Sequence, residues 1–288
     1  MTRIPELHVG RGLAAGPLTI FPVWADAEQL EDLSTGAGAR VDVREVPGGA
    51  QVPHLAVTNR GAGPALLVEG ELLEGGKQTR TLAMDLLIAP GATVIADVAC
   101  VEQGRWHGGE GHERRARRAS PSVQNALRGG GPLRQQQVWS SVARYEHSGG
   151  ATGTRSLAEH LDRLGRRQEV RVLPGQSGVI IGIAGWPVSL ELFGSRAALA
   201  AHLPGLVDAA LLDATLAVPA ARVPARRARR LAEIIEGIAL DREPARAGDG
   251  YVVAGAVPTT AVRGLVTPQG QLAHLSALNL RHELIAVG

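Results

Sequence analysis

The chain has 288 residues, of which 44% are hydrophobic and 20% charged, and its formal net charge is +2 at pH 7. These values suit a globular protein with a sizeable core, and the small net charge excludes a strongly basic surface for long polyanions. No apolar run approaches the ~20 residues of a membrane span, no N-terminal signal-peptide pattern is present, and the single cysteine, Cys100, excludes an internal disulfide. A cytoplasmic location without a membrane partner is expected.

The first hundred residues predict mainly β-strands. Residues 18–24 (LTIFPVW) are rich in strand formers, and residues 25–33 (ADAEQLEDL) are a candidate for a brief helix. Segments 39–46 and 50–57 alternate in polarity and flank Pro-Gly-Gly, which predicts a hairpin. Three further strands are predicted at 64–73 (PALLVEGELL), 79–89 and 93–101, the last two as an antiparallel pair.

The texture of the sequence changes after residue 106. Residues 107–131 are rich in Gly, Arg and Ser and have no sustained apolar period, which predicts a long, mobile loop or lid. Residues 133–145 have helical spacing, and Thr154 could cap a helix over 155–167.

The C-terminal part predicts strands and helices in succession. Two strands are expected in 178–193 with a break near Gly185, a helix over 195–215 bent at Pro204, and a helix over 223–240 with Pro224 in its first turn. Strands are expected at 250–257, 259–267 and 272–278. The elements together predict one α+β domain over residues 1–288, with an antiparallel or mixed sheet in a β-rich N-terminal half and helices mainly in the C-terminal half.

Lys77 is the only lysine in the chain, since every other Lys or Arg position is arginine. It lies in the turn EGGKQT, whose glycines allow the backbone to approach a ligand closely. Lysine can act as a point charge on phosphate or, when desolvated, as a base or nucleophile, which arginine cannot because it does not deprotonate in proteins. The alternative is a solvated turn lysine that persists by chance, and the charges beside Lys77 favour function.

Strand alternation places those charges on apolar rows. Arg80 shares a face with Leu82 and the apolar residues that follow it. Glu69 and Glu71 share a face of the strand predicted over 64–73, ~7 Å apart. Charges on a core-facing row are costly unless they are paired or used.

The stretch CVEQGRW (100–106) follows a predicted strand end. Glu102, Arg105 and Trp106 would project from it, and arginine can bind phosphate bidentately while tryptophan can stack on a base. The alternative is an Arg–Glu ion pair with Trp106 as a core plug. Cys100 on an apolar strand is more typical of a core residue than of a nucleophile.

These two runs resemble a known family. The pattern Gly70-Glu71, Gly75 and 77–82 (KQTRTL), followed by 98–106 (VACVEQGRW), is similar to the signature of the ARG and Rhodanese-Phosphatase-superfamily-associated protein domain, where ARG means ADP-ribosylglycohydrolase. Gln137 and Trp139 in QQQVW also resemble that pattern. The family usually has Asn where Thr79 stands, and often Ser where Ala99 stands. The resemblance covers most of the chain and implies a setting in NAD or ADP-ribose metabolism, without an established reaction.

Some residues have the side-chain chemistry of metal ligands or of RNA-binding groups. Glu69 and Glu71 could hold Mg²⁺ together with phosphate oxygens. His107, Glu110 and His112 have ligand chemistry but lie in the Gly-rich stretch, where a flexible loop is the favoured interpretation. The arginine runs at 114–118 and 225–230 could bind RNA weakly, but the aromatic side chains on which bases stack are few.

The leading hypothesis is an enzyme that acts on a small NAD- or ADP-ribose-related nucleotide, with a glutamate as general base or metal ligand. A non-catalytic sensor of the same ligand is the alternative, and an RNA-end-binding protein is a third. The candidate catalytic residues are Glu69, Glu71, Lys77 and Glu102. The candidate ligand-binding residues are Gln78, Arg80, Arg105, Trp106, Gln137 and Trp139. We expect Glu69, Glu71, Lys77, Arg80 and Glu102 to converge on one pocket, covered by residues 107–131.

Overall fold

A computed structural model of the protein describes residues 3–165 and 169–286. The fold is α+β, with antiparallel and mixed sheets, strands mostly in the N-terminal half and helices mostly in the C-terminal half, as the sequence predicts. The strands of the first 113 residues are β1 (Leu7–Val9), β2 (Leu13–Ala15), β3 (Leu18–Ala25), β4 (Ser34–Thr35), β5 (Val41–Glu45), β6 (His54–Asn59), β7 (Ala65–Leu67), β8 (Leu72–Gly75), β9 (Arg80–Leu82), β10 (Leu86–Ile88), β11 (Thr93–Cys100) and β12 (Gly111–Glu113).

Helices and a second group of strands follow. The helices are α1 (Pro121–Arg128), α2 (Arg134–Gly149), α3 (Leu157–Asp162), α4 (Arg196–Ala214), α5 (Ala225–Glu236) and α6 (Glu283–Ala286). The later strands are β13 (Gly178–Ile183), β14 (Trp186–Phe193), β15 (Asp241–Pro244), β16 (Tyr251–Val257), β17 (Thr260–Val266) and β18 (Leu272–Asn279).

A small barrel occupies the segment from β5 to β12. Its strands close in the order β11-β6-β5-β12-β8-β9, and each neighbouring pair is antiparallel. The apolar residues of these strands form one buried cluster with those of β7 and β10: Val43, Leu55, Val57, Ala65, Leu67, Leu73, Leu82, Leu86, Ile88, Ala96 and Val98. Because closure leaves no free edge, short strands are stable here.

A large antiparallel sheet forms the other layer. Its order among the described residues is β1-β3-β13-β14-β18-β17-β16-β15, with β2 beside β3. Side chains alternate between two cores, so that Ile20 and Ile181 belong to the cluster that contains α4, while Phe21 and Ile180 belong to the cluster that contains α5. The sheet is thus covered by α4 on one face and by α5 on the other.

Helix α4 passes a length and composition test for a membrane span, but 61% of its apolar window is buried inside the fold. Three of its own side chains, those of Leu199, Leu203 and Leu206, pack in the core. Such burial is typical of the core helix of a globular protein.

Several predicted elements are confirmed. The hairpin of 39–57 forms as β5 and β6, the strands of 178–193 form as β13 and β14, and the last three predicted strands form as β16, β17 and β18. The amphipathic helix predicted over 223–240 forms as α5, with Pro224 at its N-cap. The expected pairing of the segments 79–89 and 93–101 is confirmed for β9 with β11, whereas β10 pairs with β7.

Two predictions around the first strands are wrong. Residues 25–33 form no helix, because tertiary backbone bonds hold the segment instead, among them Leu30 N–H to the carbonyl of Gly194 at 2.8 Å. Residues 64–73 form two strands rather than one, because Gly70 takes a left-handed φ of 84° and turns the chain between β7 and β8. Glu69 and Glu71 therefore do not alternate along one regular strand.

The loop predicted over 107–131 is also corrected. Its middle supplies β12, which pairs with β5 on one side and β8 on the other and completes the barrel. Its end forms α1, capped by the hydroxyl of Ser120. Further on, Ser156 rather than Thr154 caps α3, and the helix ends at Asp162; part of the predicted range, residues 166–167, lies outside the described residues.

A buried ionic network joins the chain between β9 and β10 to the large sheet. His274 Nδ1 lies 2.9 Å from Asp85 Oδ2, and His274 Nε2 lies 2.8 Å from Glu191 Oε2. Ser276 donates to Glu191 Oε1 at 2.7 Å, and Arg118 Nη2 lies 3.4 Å from Glu191 Oε2. The imidazole can satisfy both carboxylates only when both of its nitrogens carry protons.

The surroundings of His274 make it a cation. Burial alone acts to lower the pKa of His274, but the charges and hydrogen bonds of Asp85 and Glu191 outweigh burial and raise that pKa to about 9. Burial likewise acts to raise the pKa of Asp85, but His274, the N–H of Glu69 and the charge of Arg118 together outweigh burial, so the pKa of Asp85 lies below its ordinary value.

We expect this network to make the free energy of unfolding fall as the pH becomes alkaline. Because the pKa of His274 is about 9 in the fold and 6.5 in a free side chain, its stabilisation is complete below pH 6.5 and is lost as pH rises through 9. The loss should be on the order of 3 kcal/mol in free energy of unfolding, measured by urea unfolding across this range.

The control for this prediction is His8→Asn, which removes an exposed histidine paired with Asp26 and should leave the pH slope unchanged. His274→Gln should flatten it. A wild-type free energy of unfolding that stays constant between pH 6.5 and 9 contradicts the assignment.

Candidate functional site

The strand ends at one end of the barrel carry a group of polar residues. We call this group the barrel-mouth cluster; it consists of Glu45, Lys77, Gln78, Arg80, Glu102, Arg105, Trp106 and His112. Strands β5, β8 and β11 end here while β6 and β9 begin here, so residues far apart in sequence meet. The site lies on strand ends and short turns, which a closed barrel positions rigidly.

Arg80 lies buried at the bottom of the barrel-mouth cluster. It opens β9 opposite Leu73 and Cys100, and its side chain has no exposed surface. Its Nη1 donates to Glu45 Oε2 at 3.0 Å and its Nη2 to Glu45 Oε1 at 3.3 Å. This bidentate pair offsets the cost of a buried guanidinium. The prediction that Arg80 lies on the core face is met by this geometry.

His112 completes the buried group. Its Nε2 lies 3.4 Å from Glu45 Oε1 and its Nδ1 lies 3.3 Å from the carbonyl of Leu73. Burial lowers the pKa of His112, against the opposing effect of Glu45, so the ring is neutral at pH 7. Gly76 packs on the ring, and a Cβ there would clash with it. The glycine of the lysine turn is thus required by a close contact.

Glu102 accepts hydrogen bonds from several donors. Arg105 donates from Nε to Oε1 at 2.8 Å and from Nη2 to Oε2 at 2.6 Å, the backbone N–H of Thr79 donates to Oε2 at 2.8 Å, and the Thr154 hydroxyl donates to Oε1 at 2.7 Å. Burial acts to raise the pKa of Glu102, but these donors outweigh it and lower the pKa to about 2. A general base works best with a pKa near the working pH, so Glu102 is poorly suited to that role.

Lys77 and Arg105 tie the turn before β9 to the segment after β11. Lys77 Nζ donates to the carbonyl of Gly108 at 2.9 Å. Arg105 donates to the carbonyls of Gly76 and His107, each at 2.8 Å, and of Gly75 at 3.1 Å. Outside the Arg105–Glu102 pair, both cations therefore rest on neutral acceptors.

Trp106 lies above the buried arginine. The guanidinium carbon of Arg80 is 5.6 Å from the centre of an indole ring, within the range of a cation–π contact. The side chain is 49% exposed, which differs from the core plug considered from sequence. An exposed indole beside cations is a surface on which a planar ring can stack.

The remaining predicted carboxylates are paired elsewhere. Glu69 Oε1 accepts from Arg128 Nε at 2.7 Å, and its Oε2 lies 3.8 Å from Arg263. Glu71 Oε1 accepts from Arg114 Nε at 2.8 Å. The structure brings together Lys77, Gln78, Arg80, Glu102, Arg105 and Trp106, whereas Glu69 and Glu71 pair with arginines outside the barrel-mouth cluster.

The two predicted residues of α2 also differ in position. Gln137 is exposed and lies against Gly129. Trp139 is half-buried near Cys100 and acts to lower the pKa of the Cys100 thiol. The glutamine of QQQVW that holds the barrel is Gln135, which accepts from the Cys100 N–H and donates to the Cys100 carbonyl, both at 2.8 Å. Burial raises the pKa of the Cys100 thiol, which suits a core residue.

Carboxylates and histidines form no cluster of three or more suited to a metal within residues 3–165 and 169–286. For His107, Glu110 and His112 the sequence favours a flexible loop over a metal site. In the structure His112 points to Glu45 inside the barrel, and the backbone carbonyl of Glu110 accepts from the Glu45 N–H. Mg²⁺ at Glu69 or Glu71 would compete with the arginines already bound there.

Sequence reasoning did not find Glu45, Asp85, Glu191 or His274. Alternation could have indicated three of them. Glu45 shares a face with Val41 and Val43, Glu191 lies within the apolar run SLELF, and His274 lies within LAHLSAL. A charged residue inside an apolar strand is a signal wherever it lies, because burying a charge is costly unless the charge is paired.

The family model for the ARG and Rhodanese-Phosphatase-superfamily-associated Protein domain matches residues 6–278. The chain belongs to this family. The matched range contains the barrel, the large sheet and every residue of the barrel-mouth cluster. No curated protein and no solved structure matches the chain significantly. The name of the family refers to an association with ADP-ribosylglycohydrolase and with the rhodanese-phosphatase superfamily.

We expect the Arg80–Glu45 pair to dominate the stability of the barrel mouth. Arg80→Met leaves Glu45 buried without its main partner and should cost about 3–5 kcal/mol in free energy of unfolding. The double substitution Arg80→Met with Glu45→Met should cost less than the sum of the single ones, which denaturant unfolding of all four proteins would measure.

Arg44→Met is the matched control, since Arg44 makes an exposed pair with Asp42 on the same strand and should change stability little. An Arg80→Met protein as stable as Arg44→Met would show that Arg80 contributes no structural pairing.

Proposed function

We propose that the protein binds a small NAD- or ADP-ribose-related nucleotide at the barrel mouth. The observation that carries the proposal is the exposed indole of Trp106 over the Arg80 guanidinium, 5.6 Å away. A nucleobase can stack on such a ring, with a gain of about 1–3 kcal/mol per base. The family's association with ADP-ribosylglycohydrolase supports this ligand class.

Phosphate would be held by Lys77 and Arg105. Both donate to neutral backbone carbonyls in the free protein. A phosphate oxygen carries negative charge and a carbonyl oxygen does not, so these cations are attracted more strongly to phosphate and a phosphate oxygen can take over the donors. Gln78, whose amide donates to the carbonyl of Glu102 at 3.2 Å, holds the strand end beneath them.

Glu102 serves this site by orienting Arg105. Its pKa of about 2 keeps it ionised at any physiological pH, so it fixes the guanidinium through two charge-assisted bonds. This weak basicity favours a binding protein or sensor over an enzyme that uses Glu102 as its base.

Catalysis is the second candidate, and His112 is the observation that favours it. Its pKa is lowered by burial, so it is a neutral imidazole able to accept a proton at pH 7. It lies beneath Gly76, and a substrate could reach it only if the turn moved. Turnover of ADP-ribose or NAD that is lost in His112→Asn, with binding retained, would support this version.

The arginine run at 114–118 argues against the RNA-end alternative. Arg114 pairs with Glu71, Arg118 with Glu191, and Arg117 with Asp162. Arginines engaged in internal pairs are not free to track a nucleic-acid backbone.

We expect calorimetry with ADP-ribose, with and without Mg²⁺, to locate the site. Trp106→Leu should weaken binding about tenfold through lost stacking. Lys77→Ala should weaken it to a similar degree through one lost charged bond. Lys77→Arg should also weaken it, because a planar fork does not replace a point donor between Gly76 and Gly108.

Trp24→Leu and Arg44→Ala are the matched controls. Trp24 lies on β3 of the large sheet, where its indole N–H donates a hydrogen bond to the carbonyl of Pro174, and Arg44 lies on the outer surface of β5. Both should bind like wild type. Equal affinity in wild type, Trp106→Leu and Lys77→Ala, or no binding at all, would contradict the proposal.

A further inference from the structure

A second concave site lies on the large sheet, away from the barrel. A cavity of about 570 Å³ opens between the turn joining β13 to β14, the helix α5, and the start of α6. This volume is within the range of small-molecule sites. Its lining includes Trp186, Arg227, Arg230, Thr259, Thr260 and Arg281.

An aromatic platform stands at this cavity. Trp186 is 52% exposed, and the guanidinium carbon of Arg227 lies 3.5 Å from the centre of its ring. Arg227 also donates to the carbonyl of Gly185, which holds the stacked pair in place. One face of the indole is therefore covered by a cation, and the ring remains accessible to a second planar group.

The turn that presents Trp186 is strained. β13 and β14 are joined by Ala184 and Gly185, which have φ values of 49° and 80°. Two positive φ values suit a two-residue hairpin turn. Alanine is disfavoured there, and residues held in such conformations cluster at functional sites.

The cavity carries an excess of positive charge. Neither Arg227 nor Arg281 pairs with a carboxylate among the described residues, and Arg230 is paired only with the exposed Glu233 at 3.1 Å. Glu283 is the acidic residue of the lining. The hydroxyls of Thr259 and Thr260 lie 3.3 Å apart. One of them donates to the other, so one O–H of the pair remains free to donate.

We propose that this cavity binds a small phosphorylated ligand with a planar aromatic ring, of the nucleoside monophosphate class. The ring stacks on Trp186, and the phosphate is bound by Arg281 and Arg230, with the free O–H of the threonine pair beside it. A phosphate offers the several acceptors and the double negative charge that two guanidiniums and one hydroxyl can bind together. The inference does not rest on binding at the barrel mouth, since the two sites share no residue.

The experiment is titration calorimetry of the full chain with AMP, adenosine and inorganic phosphate. It is run in wild type and in the Trp106→Leu background, which removes the barrel-mouth ring. In the Trp106→Leu background the tighter AMP site should be the cavity, since stacking at the barrel mouth is lost. Adenosine and phosphate should each bind the cavity at least about tenfold more weakly than AMP, because each supplies only the ring or only the charge.

Two substitutions test the lining. Arg281→Gln and Trp186→Leu, each in the Trp106→Leu background, should weaken AMP binding about tenfold or more. Trp186→Leu removes a half-exposed contact with Arg227, and Arg281 forms no ion pair within the described part of the chain, so both proteins should keep the wild-type unfolding transition. Arg229→Gln on α5 makes the same charge change at an exposed position outside the cavity, and it should leave the affinity unchanged.

Three outcomes overturn the proposal. One is AMP failing to bind the Trp106→Leu protein at about millimolar concentration. Another is wild-type affinity in both Arg281→Gln and Trp186→Leu. The last is inorganic phosphate binding as tightly as AMP, which would remove the ring from the recognition. A loss of binding in Trp106→Leu alone would leave the barrel-mouth proposal standing and sink this one.

Discussion

A guanidinium enclosed in a small barrel must be paired, and the pairing of Arg80 with Glu45 fixes the geometry of everything at that end. Arg80 opens β9 and Glu45 closes β5, so the ion pair can form only when the barrel is closed in its observed register. A shift of one residue in either strand would turn one of the two charges outward. The pair thus specifies register as well as contributing energy, and both His112 and Trp106 take their positions from it.

The two buried ionic networks solve the same problem differently. At the barrel mouth the carboxylate of Glu45 takes its charge partner from Arg80, and His112 stays neutral. In the large sheet, His274 lies between two carboxylates and is held protonated, with a pKa of about 9. The number of negative groups around each imidazole decides the difference. One network is therefore a site where a neutral imidazole is available, and the other is an ionic connection, present below about pH 9, between the segment joining β9 to β10 and the large sheet.

Alternation and turn residues predict the strands and helices that obey local rules, such as the hairpin of β5 and β6 and the helix α5. They fail where distant partners decide the conformation. β12 is a three-residue strand in a Gly- and Arg-rich segment, and it exists because β5 and β8 present free edges on both sides. Gly70 interrupts a run whose pattern is that of one strand. Its left-handed turn places β7 in a separate three-stranded sheet with β10 and β4, while β8 pairs within the barrel. No local pattern contains that information.

The candidate site shows the same division. The residues near Lys77 and in CVEQGRW were predictable because signature and alternation coincide there. Glu69 and Glu71 were misplaced because their placement assumed a continuous strand. Their donor partners, Arg114 for Glu71 and Arg128 for Glu69, come from a segment that looks like a loop in sequence.

The way Arg105 and Lys77 divide the backbone carbonyls at the barrel mouth between them explains why this position is a lysine. Arg105 spreads its planar fork over the carbonyls of Gly75, Gly76 and His107, and it still reaches Glu102. One carbonyl, that of Gly108, remains beside the turn, and Lys77 Nζ donates to it. The backbone is tight here, since a Cβ on Gly108 would meet the carbonyl of Gly76. A compact ammonium can serve one acceptor in such a space, whereas a second guanidinium would bring several donors that need partners beside an arginine already using them. The position therefore favours lysine through the geometry of a single acceptor.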